Sequence, residues 1–412
     1  MAGPADYGSA RGPGQMPEQQ TDILIAGGGT VGLTLALALR HGAPELGVTV
    51  VDAGVPGADR GDGRASAIAA AAQRMLAQLG IWPELEPAAQ PITDMIVTDS
   101  RMSDVVRPVF LTFDGAVGDG EPFAAMVPNG ALTAALARAA RAAGIAFRDR
   151  NAVTAFAVEG ETMHAMLRDG PAVRTRLLVA ADGVRSHLRD LSGIRTLKYG
   201  YRQVGLVTTV VHERPHGGRA EEHFLPAGPF AILPLRGLNG AQNQSSLVWT
   251  ERPDTAEALL RADDAAFDAE LAQRFGRHLG RVRAVGPRHS YPLSLTLARD
   301  FVRPRFALAG DAAHGIHPIA GQGLNLGLRD AAALAESVVD AARLGLDIGS
   351  ANVLERYQRW RRFDTLEMTL ITDGLNRLFS NDNPAVRLIR DVGMGLVDRL
   401  PGLKRRFIGE AA

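Results

Sequence analysis

The chain has 412 residues, 46% of them hydrophobic, which is enough to bury a sizeable core in two or three domains. Lysine plus arginine and aspartate plus glutamate number 45 each, so no overall charge attracts nucleic acid or an anionic membrane. The absence of cysteine excludes disulfides, thiolate nucleophiles and cysteine-ligated metal centres, and it is compatible with a reducing cytoplasm.

The N-terminal segment MAGPADYGSARGPGQMPEQQ is rich in Gly, Pro and Gln and lacks the apolar stretch of a secretory signal. It predicts a disordered leader over residues 1–20. The uncharged run 23–39 approaches the roughly 20 apolar residues of a membrane span. Glycines near its start favour a strand, a tight turn and a helix instead.

The first strong motif is GxGxxG at Gly27, Gly29 and Gly32, between the strand-like TDILIA and a helical pattern. Gly27 would permit the tight turn, Gly29 the approach of a pyrophosphate, and Gly32 close helix packing. Asp52 ends the next strand and can accept hydrogen bonds from a ribose diol, while the helix N-terminus favours phosphate. The motif predicts one bound dinucleotide, and a glycine turn without a ligand is the alternative.

Two further strand ends carry an aspartate beside a glycine. RLLVAADGVRSHLRD (176–190) contains Asp182 and Gly183, and RFALAGDAAH (305–314) contains Gly310 and Asp311. Ligands of doubly wound sheets bind at the carboxyl ends of the strands, so the three ends are expected to converge on one crevice. Each aspartate alone could equally be a helix cap or a turn residue.

The middle of the chain has extended runs at 204–212, 230–235 and 245–250, which predict an inserted antiparallel sheet closed by a helical segment over 254–279. After residue 329 the pattern is helical. Between them lies GDAAHGIHPIAGQGLNLGLRD (310–330), whose His314 and His317 invite a metal assignment. No third ligand stands at metal spacing, so hydrogen bonding is favoured and no metal is predicted. Tyr201 could touch a substrate, although a strand tyrosine is more often core.

Taken together, these motifs resemble the flavin-dependent aromatic hydroxylases of the para-hydroxybenzoate hydroxylase class, and within it the ubiquinone-biosynthesis hydroxylases. The resemblance runs from about residue 21 to 410 and rests on GGGTVGLTLALAL, DGRASAI, VPNGALTAAL, AADGVRSHLR, GDAAHGIHPIAGQGLNLGLRD and TDGLNRLFSNDNP, in family order. One departure is Pro128, where this branch usually has an acid.

The resemblance implies an α/β fold with a Rossmann-type FAD-binding domain, an inserted antiparallel β-sheet substrate domain and a helical C-terminal segment. We expect the FAD-binding domain to be discontinuous, over 21–90, 121–190 and 285–345. The substrate domain, with a mixed β-sheet, would take 91–120 and 191–284, and the C-terminal helical region 346–412.

The resemblance also implies cofactor-binding positions. The ADP half of FAD would be held by Gly27, Gly29, Thr30, Val31, Gly32 and Asp52. Arg64 and Ser66 of DGRAS and Asn129 of VPNGAL are further expected contacts, with Arg64 near the ribityl or pyrophosphate. Asp182 and Gly183 would lie near the pyrophosphate with a secondary part in NAD(P)H binding, and Gly310 and Asp311 at the ribityl chain.

The flavin ring itself is expected at Pro318, Gly321, Gln322, Gly323, Leu324 and Asn325. Glycines at 321 and 323 would let backbone amides touch the ring edge, where a side chain would collide. The helix that starts near Gly323 would aim its positive end at the N1/C2 oxygen region and stabilise the anionic reduced ring. Pro318, Gly321, Gln322 and Gly323 form the expected catalytic environment, and no acid or base is assigned.

The implied activity is an FAD-dependent monooxygenase that hydroxylates the ring of a polyprenylated phenol in ubiquinone biosynthesis, with NAD(P)H and O2, through a flavin C4a-hydroperoxide. Such a substrate is hydrophobic, so peripheral contact with the inner membrane or with a quinone-biosynthesis complex is expected. The basic and apolar segment 384–409 fits a surface-seeking helix, or a helix packed on its own domain. A soluble small-phenol or aromatic-acid hydroxylase and a non-catalytic flavoprotein scaffold are the alternative functions. The oligomeric state stays open.

Overall fold

The computed structural model describes residues 19–58, 61, 63–99, 109–114, 116–117, 121–276 and 278–380. The expected leader 1–20 lies outside the described residues except for Gln19–Gln20, which form a short strand parallel to residues 173–174. The basic and apolar segment 384–409 also lies outside them.

The bounds of the regular elements follow in chain order. The first strands are β1 Gln19–Gln20, β2 Ile23–Ala26, β3 Val48–Val51, β4 Ala65–Ala69, β5 Gln90–Ile92, β6 Asp94–Asp99, β7 Val109–Asp114, β8 Ala116–Val117, β9 Glu121–Pro122, β10 Ala124–Pro128, β11 Ala146–Arg148 and β12 Val153–Glu159. The later strands are β13 Thr162–Leu167, β14 Val173–Thr175, β15 Leu177–Ala180, β16 Thr196–His212, β17 Arg219–Leu225, β18 Gly228–Leu235, β19 Gln244–Glu251, β20 Val282–Ala284, β21 His289–Ala298, β22 Val302–Arg303, β23 Phe306–Leu308 and β24 His314–Gly315. The α-helices are α1 Thr30–Gly42, α2 Ala70–Gln78, α3 Trp82–Leu85, α4 Asn129–Ala142, α5 His187–Leu191, α6 Pro253–Arg261, α7 Asp264–Phe275, α8 Gln322–Arg343 and α9 Ala351–Phe379.

A six-stranded sheet in the order β11-β3-β2-β15-β23-β22 is the centre of the nucleotide-binding part. Its strands are parallel except at the β22–β23 edge. The runs ILIA and LLVA are buried throughout, as expected for parallel strands covered on both faces. Because β2, β15 and β23 are neighbours and point the same way, the three glycine-containing turns that follow them lie side by side.

A nine-stranded sheet carries the β-rich middle of the chain, in the order β24-β21-β16-β19-β18-β17-β6-β7, with β20 also paired to β16. It is antiparallel except for β6 and β17, which run parallel, so the sheet is mixed. Trp249, Phe230 and Phe267 pack their rings beneath it, where α7 covers one face. The α/β class with an inserted sheet and helices at the C-terminal side is confirmed.

The strand β21 differs from the expected division of the chain. The sequence predicts residues 285–345 in the FAD-binding part, but β21 pairs along β16 in the nine-stranded sheet. Its alternating sequence HSYPLSLTLA has one face on the sheet core and one outside, which suits an antiparallel neighbour of β16. The chain therefore returns to the six-stranded sheet only at β22.

Smaller sheets complete the fold, in the orders β4-β10-β5, β1-β14-β13-β12 and β8-β9. The run 23–39 forms β2 and most of α1, as the glycines indicated. Of the helices that the structure describes, none combines the length and hydropathy needed to cross a bilayer.

Candidate functional site

The first turn joins β2 to α1 and is shaped by its glycines. Gly27 has φ +118°, and a Cβ placed there would lie 2.1 Å from the carbonyl oxygen of Ala181. A Cβ on Gly32 would lie 2.0 Å from the carbonyl oxygen of Gly27, so this glycine lets α1 pack on the turn. Gly29 differs, because it has ordinary extended dihedrals and open space around its Cβ position.

Asp52 holds this turn from the end of β3. Its carboxylate accepts hydrogen bonds from the Gly28 amide and the Gly54 amide, each at 2.7 Å. The expected ribose-binding acid thus also fixes the backbone that surrounds the first glycine turn.

The second turn is braced by an arginine that the sequence did not single out. Asp182 accepts a hydrogen bond from the Leu188 amide at 3.3 Å, which ties the turn to α5, and Gly183 has φ +84° with open space beside it. Arg189 is 1% exposed and donates to the carbonyls of Val184 at 3.1 Å and Ala312 at 3.0 Å. This buried guanidinium therefore joins the second turn to the third.

The third turn faces the first across small side chains. Gly310 has φ +62°, and a Cβ there would lie 3.1 Å from the Val31 side chain of α1. Asp311 is exposed as a residue. Burial around its carboxyl group nevertheless raises the pKa of Asp311, and the charges of His314 and Arg64 oppose this shift. Arg64 also stacks over the Tyr291 ring at 5.1 Å.

Asp330, at the end of the GQGLNLGLRD motif, lies on α8 and binds the backbone of this third turn. It is fully buried and accepts hydrogen bonds from the Gly310 amide at 2.8 Å, His314 Nε2 at 2.6 Å and Arg361 Nε at 2.7 Å. Burial alone would raise the pKa of Asp330, but His314 and Arg361 outweigh it and lower the pKa below its usual value. The carboxylate is thus charged and links α8, α9 and the turn.

The DGRAS strand is attached to α8 by Asn325. This side chain is buried, accepts a hydrogen bond from the Ala69 amide at 3.0 Å and donates to the Ala67 carbonyl at 2.9 Å. Ser66 in the same strand donates to Asn129 Oδ1 at 2.7 Å. These expected cofactor residues therefore join β4 to its neighbours, and the Asn325 side-chain amide already has two backbone partners.

The remaining expected residues lie at the starts of α1 and α8. Thr30 Oγ1 and Thr133 Oγ1 are 3.3 Å apart at the α1–α4 contact. Gly321 has φ +64° and precedes α8, while Pro318 is exposed and Gln322 is buried. Gly323 has open space around its Cβ position, and Leu324 packs partly against the main core.

These two helix starts fit an anionic dinucleotide such as FAD. Neither α1 nor α8 has a side-chain N-cap hydrogen bond, and neither has an acidic residue in its first turn. Uncapped amides and the positive end of the helix dipole favour anionic groups. Gly29 and Gly323 leave open space at the same two ends. The start of α1 suits a pyrophosphate, and the start of α8 suits the electron-rich edge of a flavin.

The two histidines of the third motif have different surroundings. His314 donates to Asp330, whereas both ring nitrogens of His317 are buried without a hydrogen-bond partner. Across the described ranges, no cluster of three or more His, Cys, Asp or Glu side chains is arranged to hold a metal ion.

The chain is similar to known proteins both in sequence and in fold. The FAD binding domain family matches residues 20–363. Ubiquinone hydroxylase UbiL of Rhodospirillum rubrum is 48% identical over 411 residues, covering 98% of this chain and 93% of the relative. The 3-demethoxyubiquinol 3-hydroxylase of Escherichia coli K12 is 35% identical over 95% of this chain and 98% of its own. The crystal structure of p-nitrophenol 4-monooxygenase from Pseudomonas putida DLL-E4 superposes with a TM-score of 0.77 at 22% identity, over 95% of this chain and 98% of that one, and shares the fold.

Proposed function

The chain belongs to the FAD-binding monooxygenase family of the ubiquinone-biosynthesis hydroxylases, and from this membership we propose that it hydroxylates the aromatic ring of a polyprenylated ubiquinone precursor, using NAD(P)H and O2. The observation that carries the proposal is the pair of uncapped helix N-termini, on α1 and α8, beside three adjacent strand ends. When bound, FAD supplies electron transfer from NAD(P)H and the activation of O2.

The chain's own residues bind and orient in this proposal. The amides at the start of α1, with Gly29 open before them, hold the pyrophosphate, and Asp52 is placed for the ribose. Asp311 takes the ribityl chain. The start of α8, from Gly321 to Leu324, stabilises negative charge at the flavin edge, an effect of about 0.3–2 kcal/mol for a helix dipole.

The two alternative functions are less well supported. Both relatives described above are named for ubiquinone or a ubiquinone precursor, which favours a prenylated phenol over a small phenol or aromatic acid. The same names describe hydroxylases, which favours a catalytic protein over a flavoprotein scaffold.

The proposal is tested by the quinone intermediate that accumulates in a strain lacking this gene. We expect a prenylated phenol or demethoxyquinol that lacks one ring hydroxyl, and its conversion by purified, FAD-loaded protein with NAD(P)H or a separate electron donor. Protein that carries no FAD, or unchanged quinone intermediates in the deletion strain, would contradict the proposal.

We further propose that α9 docks on an anionic bilayer, from which a prenylated substrate is taken. Four large apolar side chains stand exposed along one side of this helix: Trp360, Phe363, Leu366 and Leu370, with Phe363 70% exposed. Exposed Arg359 and Arg362 flank them. An apolar row with an aromatic ring and neighbouring arginines is typical of helices that lie in a membrane interface.

Replacing Phe363 and Leu370 by serine is expected to reduce binding to vesicles containing anionic lipid by about tenfold or more. Each of the two side chains, once buried in the bilayer, would contribute about 1.5–3 kcal/mol to the free energy of binding. Co-sedimentation with such vesicles measures it, with the exposed Leu344→Ser, away from this face, as a matched control. FAD content should stay constant. Equal sedimentation of the variant and the wild type would contradict docking on lipid, and association with another protein through this face would then be the explanation.

A further inference from the structure

Tyr291 on β21 connects the nine-stranded sheet to the segment that carries Arg64. The guanidinium carbon of Arg64 lies over the Tyr291 ring, 5.1 Å from its centre. Arg64 immediately precedes β4, which belongs to the separate sheet β4-β10-β5, whereas β21 is a strand of the nine-stranded sheet. This one contact therefore joins two sheets that are remote in the sequence.

The backbone of Arg64 is fixed on its C-terminal side. The Arg64 carbonyl accepts a hydrogen bond from the Asn129 amide at 2.9 Å, and the residues that follow pair with β10. On the other side, Gly61 and Gly63 have φ +63° and +57° and open space around their Cβ positions. The long side chain thus leaves a fixed point of the backbone, and its own contacts determine where the guanidinium points.

The Arg64 guanidinium lies within electrostatic reach of the third turn. Burial raises the pKa of Asp311, and the charges of His314 and then of Arg64 oppose this shift. The strand that follows Arg64 also lies against the start of α8, because a Cβ on Gly321 would be 3.6 Å from the Cβ of Ala67. Arg64 is therefore next to the two places where the ribityl chain and the flavin edge are proposed to bind.

The Tyr291 ring is free of a cross-strand side chain. Tyr291 and Leu293 are the more buried residues of an alternating stretch, and the neighbours of Tyr291 in the sequence are exposed. Directly opposite Tyr291 on β16 is Gly205, which has no side chain to place against the ring. An aromatic face in a half-buried position attracts a guanidinium and restricts the rotamers of its long side chain.

We infer that Tyr291 is a positioning residue for FAD, whose ring holds the Arg64 guanidinium in the orientation that meets the phosphate and ribityl part of the cofactor. The inference rests on the proposed function, since it takes FAD to be bound along the three turns. A guanidinium that is already held in place binds an anion without the entropic cost of ordering its side chain. Tyr291 thus contributes to FAD affinity through Arg64 and without a contact of its own.

Tyr199 provides a matched control within the same chain. It is also a strand tyrosine stacked with an arginine, because the guanidinium carbon of Arg377 lies 5.1 Å from the centre of its ring. Arg377 stands on α9 and pairs with Asp373 at 2.9 Å, so it has no part in the proposed FAD site. Removing the Tyr199 ring should therefore remove an equivalent contact without an effect on FAD.

A fluorescence titration of the apo protein with FAD tests the inference. Tyr291→Leu should bind FAD about three- to tenfold more weakly, which corresponds to ordering one long side chain on binding. Tyr291→Phe keeps the ring and should bind like the wild type, as should Tyr199→Leu. Arg64→Met removes the charge and should itself bind FAD more weakly. In that background Tyr291→Leu should have no further effect, because no guanidinium is left to position.

A packing role of Tyr291 would weaken FAD binding equally with and without Arg64, so an equal loss in the Arg64→Met background overturns the inference. Wild-type affinity in Tyr291→Leu, or a loss in Tyr291→Phe as large as in Tyr291→Leu, overturns it as well. Thermal unfolding of the apo proteins checks folding, and Tyr291→Met, with its adaptable side chain, replaces Tyr291→Leu if that variant does not fold. Because the titration needs no substrate or turnover, a wild type that binds FAD without hydroxylating counts against the proposed function alone.

Discussion

Asp330→Ala is expected to lower the free energy of unfolding by about 3–5 kcal/mol, the usual effect of removing one partner from a buried ion pair. The substitution leaves Arg361 buried with a reduced set of partners and removes the acceptor of the Gly310 amide and of His314. The third turn would lose its support at the same time, so FAD should dissociate more readily. Urea unfolding of the apo and FAD-loaded protein measures both effects.

Asp364→Asn provides the matched control for this prediction. Asp364 accepts from the same Arg361 at 2.6 Å but is half-buried and lies farther along α9. Its loss should therefore cost less than about 1 kcal/mol, as for other solvent-accessible ion pairs. If Asp330→Ala proves no more destabilising than Asp364→Asn, the buried network does not support the fold as described.

The Asp330 carboxylate should also make the free energy of unfolding depend on pH. Its pKa is lowered in the folded protein, so its stabilisation is fully present above the usual aspartate pKa of about 3.9 and is lost as the pH falls through the lowered value. The stability difference between wild type and Asp330→Asn should thus shrink as the pH falls below about 4, the usual aspartate value. A difference that grows in that acidic range would contradict this sign.

Gly27→Ala and Gly29→Ala are expected to separate folding from cofactor binding. At Gly27 an alanine needs a left-handed φ, which costs about 1–3 kcal/mol, and its Cβ would also lie 2.1 Å from a carbonyl oxygen. At Gly29 the dihedrals suit alanine and the space is open in the protein alone. A methyl group there would occupy the place proposed for the pyrophosphate.

We therefore expect Gly27→Ala to unfold at lower temperature in the apo form, and Gly29→Ala to unfold like the wild type but to bind FAD at least about tenfold more weakly. Thermal unfolding and a fluorescence titration with FAD measure the two properties separately. FAD affinity at the wild-type level in Gly29→Ala would place the pyrophosphate elsewhere.

The local motifs were readable from the sequence because their geometry is set by adjacent residues. Gly27, Gly183 and Gly310 all have positive φ at strand ends, where the sequence placed its three turns. The Asp330–Arg361 pair was not readable, because its partners are 31 residues apart and belong to different helices. Arg361 stands in the run RWRRF beside exposed Arg359 and Arg362, and only the packing of α9 distinguishes the buried one.

Long-range pairing explains the other differences as well. Arg189 joins two turns across 123 residues, and nothing in AADGVRSHLR marks it as buried rather than exposed on a short helix. The strand β21 has an alternating pattern that fits either sheet, so its neighbour could be assigned only in the folded chain. The sequence predicted hydrogen bonding for His317, but both of its ring nitrogens are buried without a hydrogen-bond partner, which depends on how Tyr201 and α9 pack around the ring.

The helix α9 spans 29 residues and has different neighbours along its length. Arg361 anchors the third turn, Asp373 stands beside Tyr201, and Phe363 points outward. Variants of this one helix collected in a genetic screen would consequently fall into separate phenotypes, namely unstable protein or a folded enzyme that no longer reaches its hydrophobic substrate. Complementation scores alone would not distinguish them, so each allele needs to be classified by protein level and by cell fractionation.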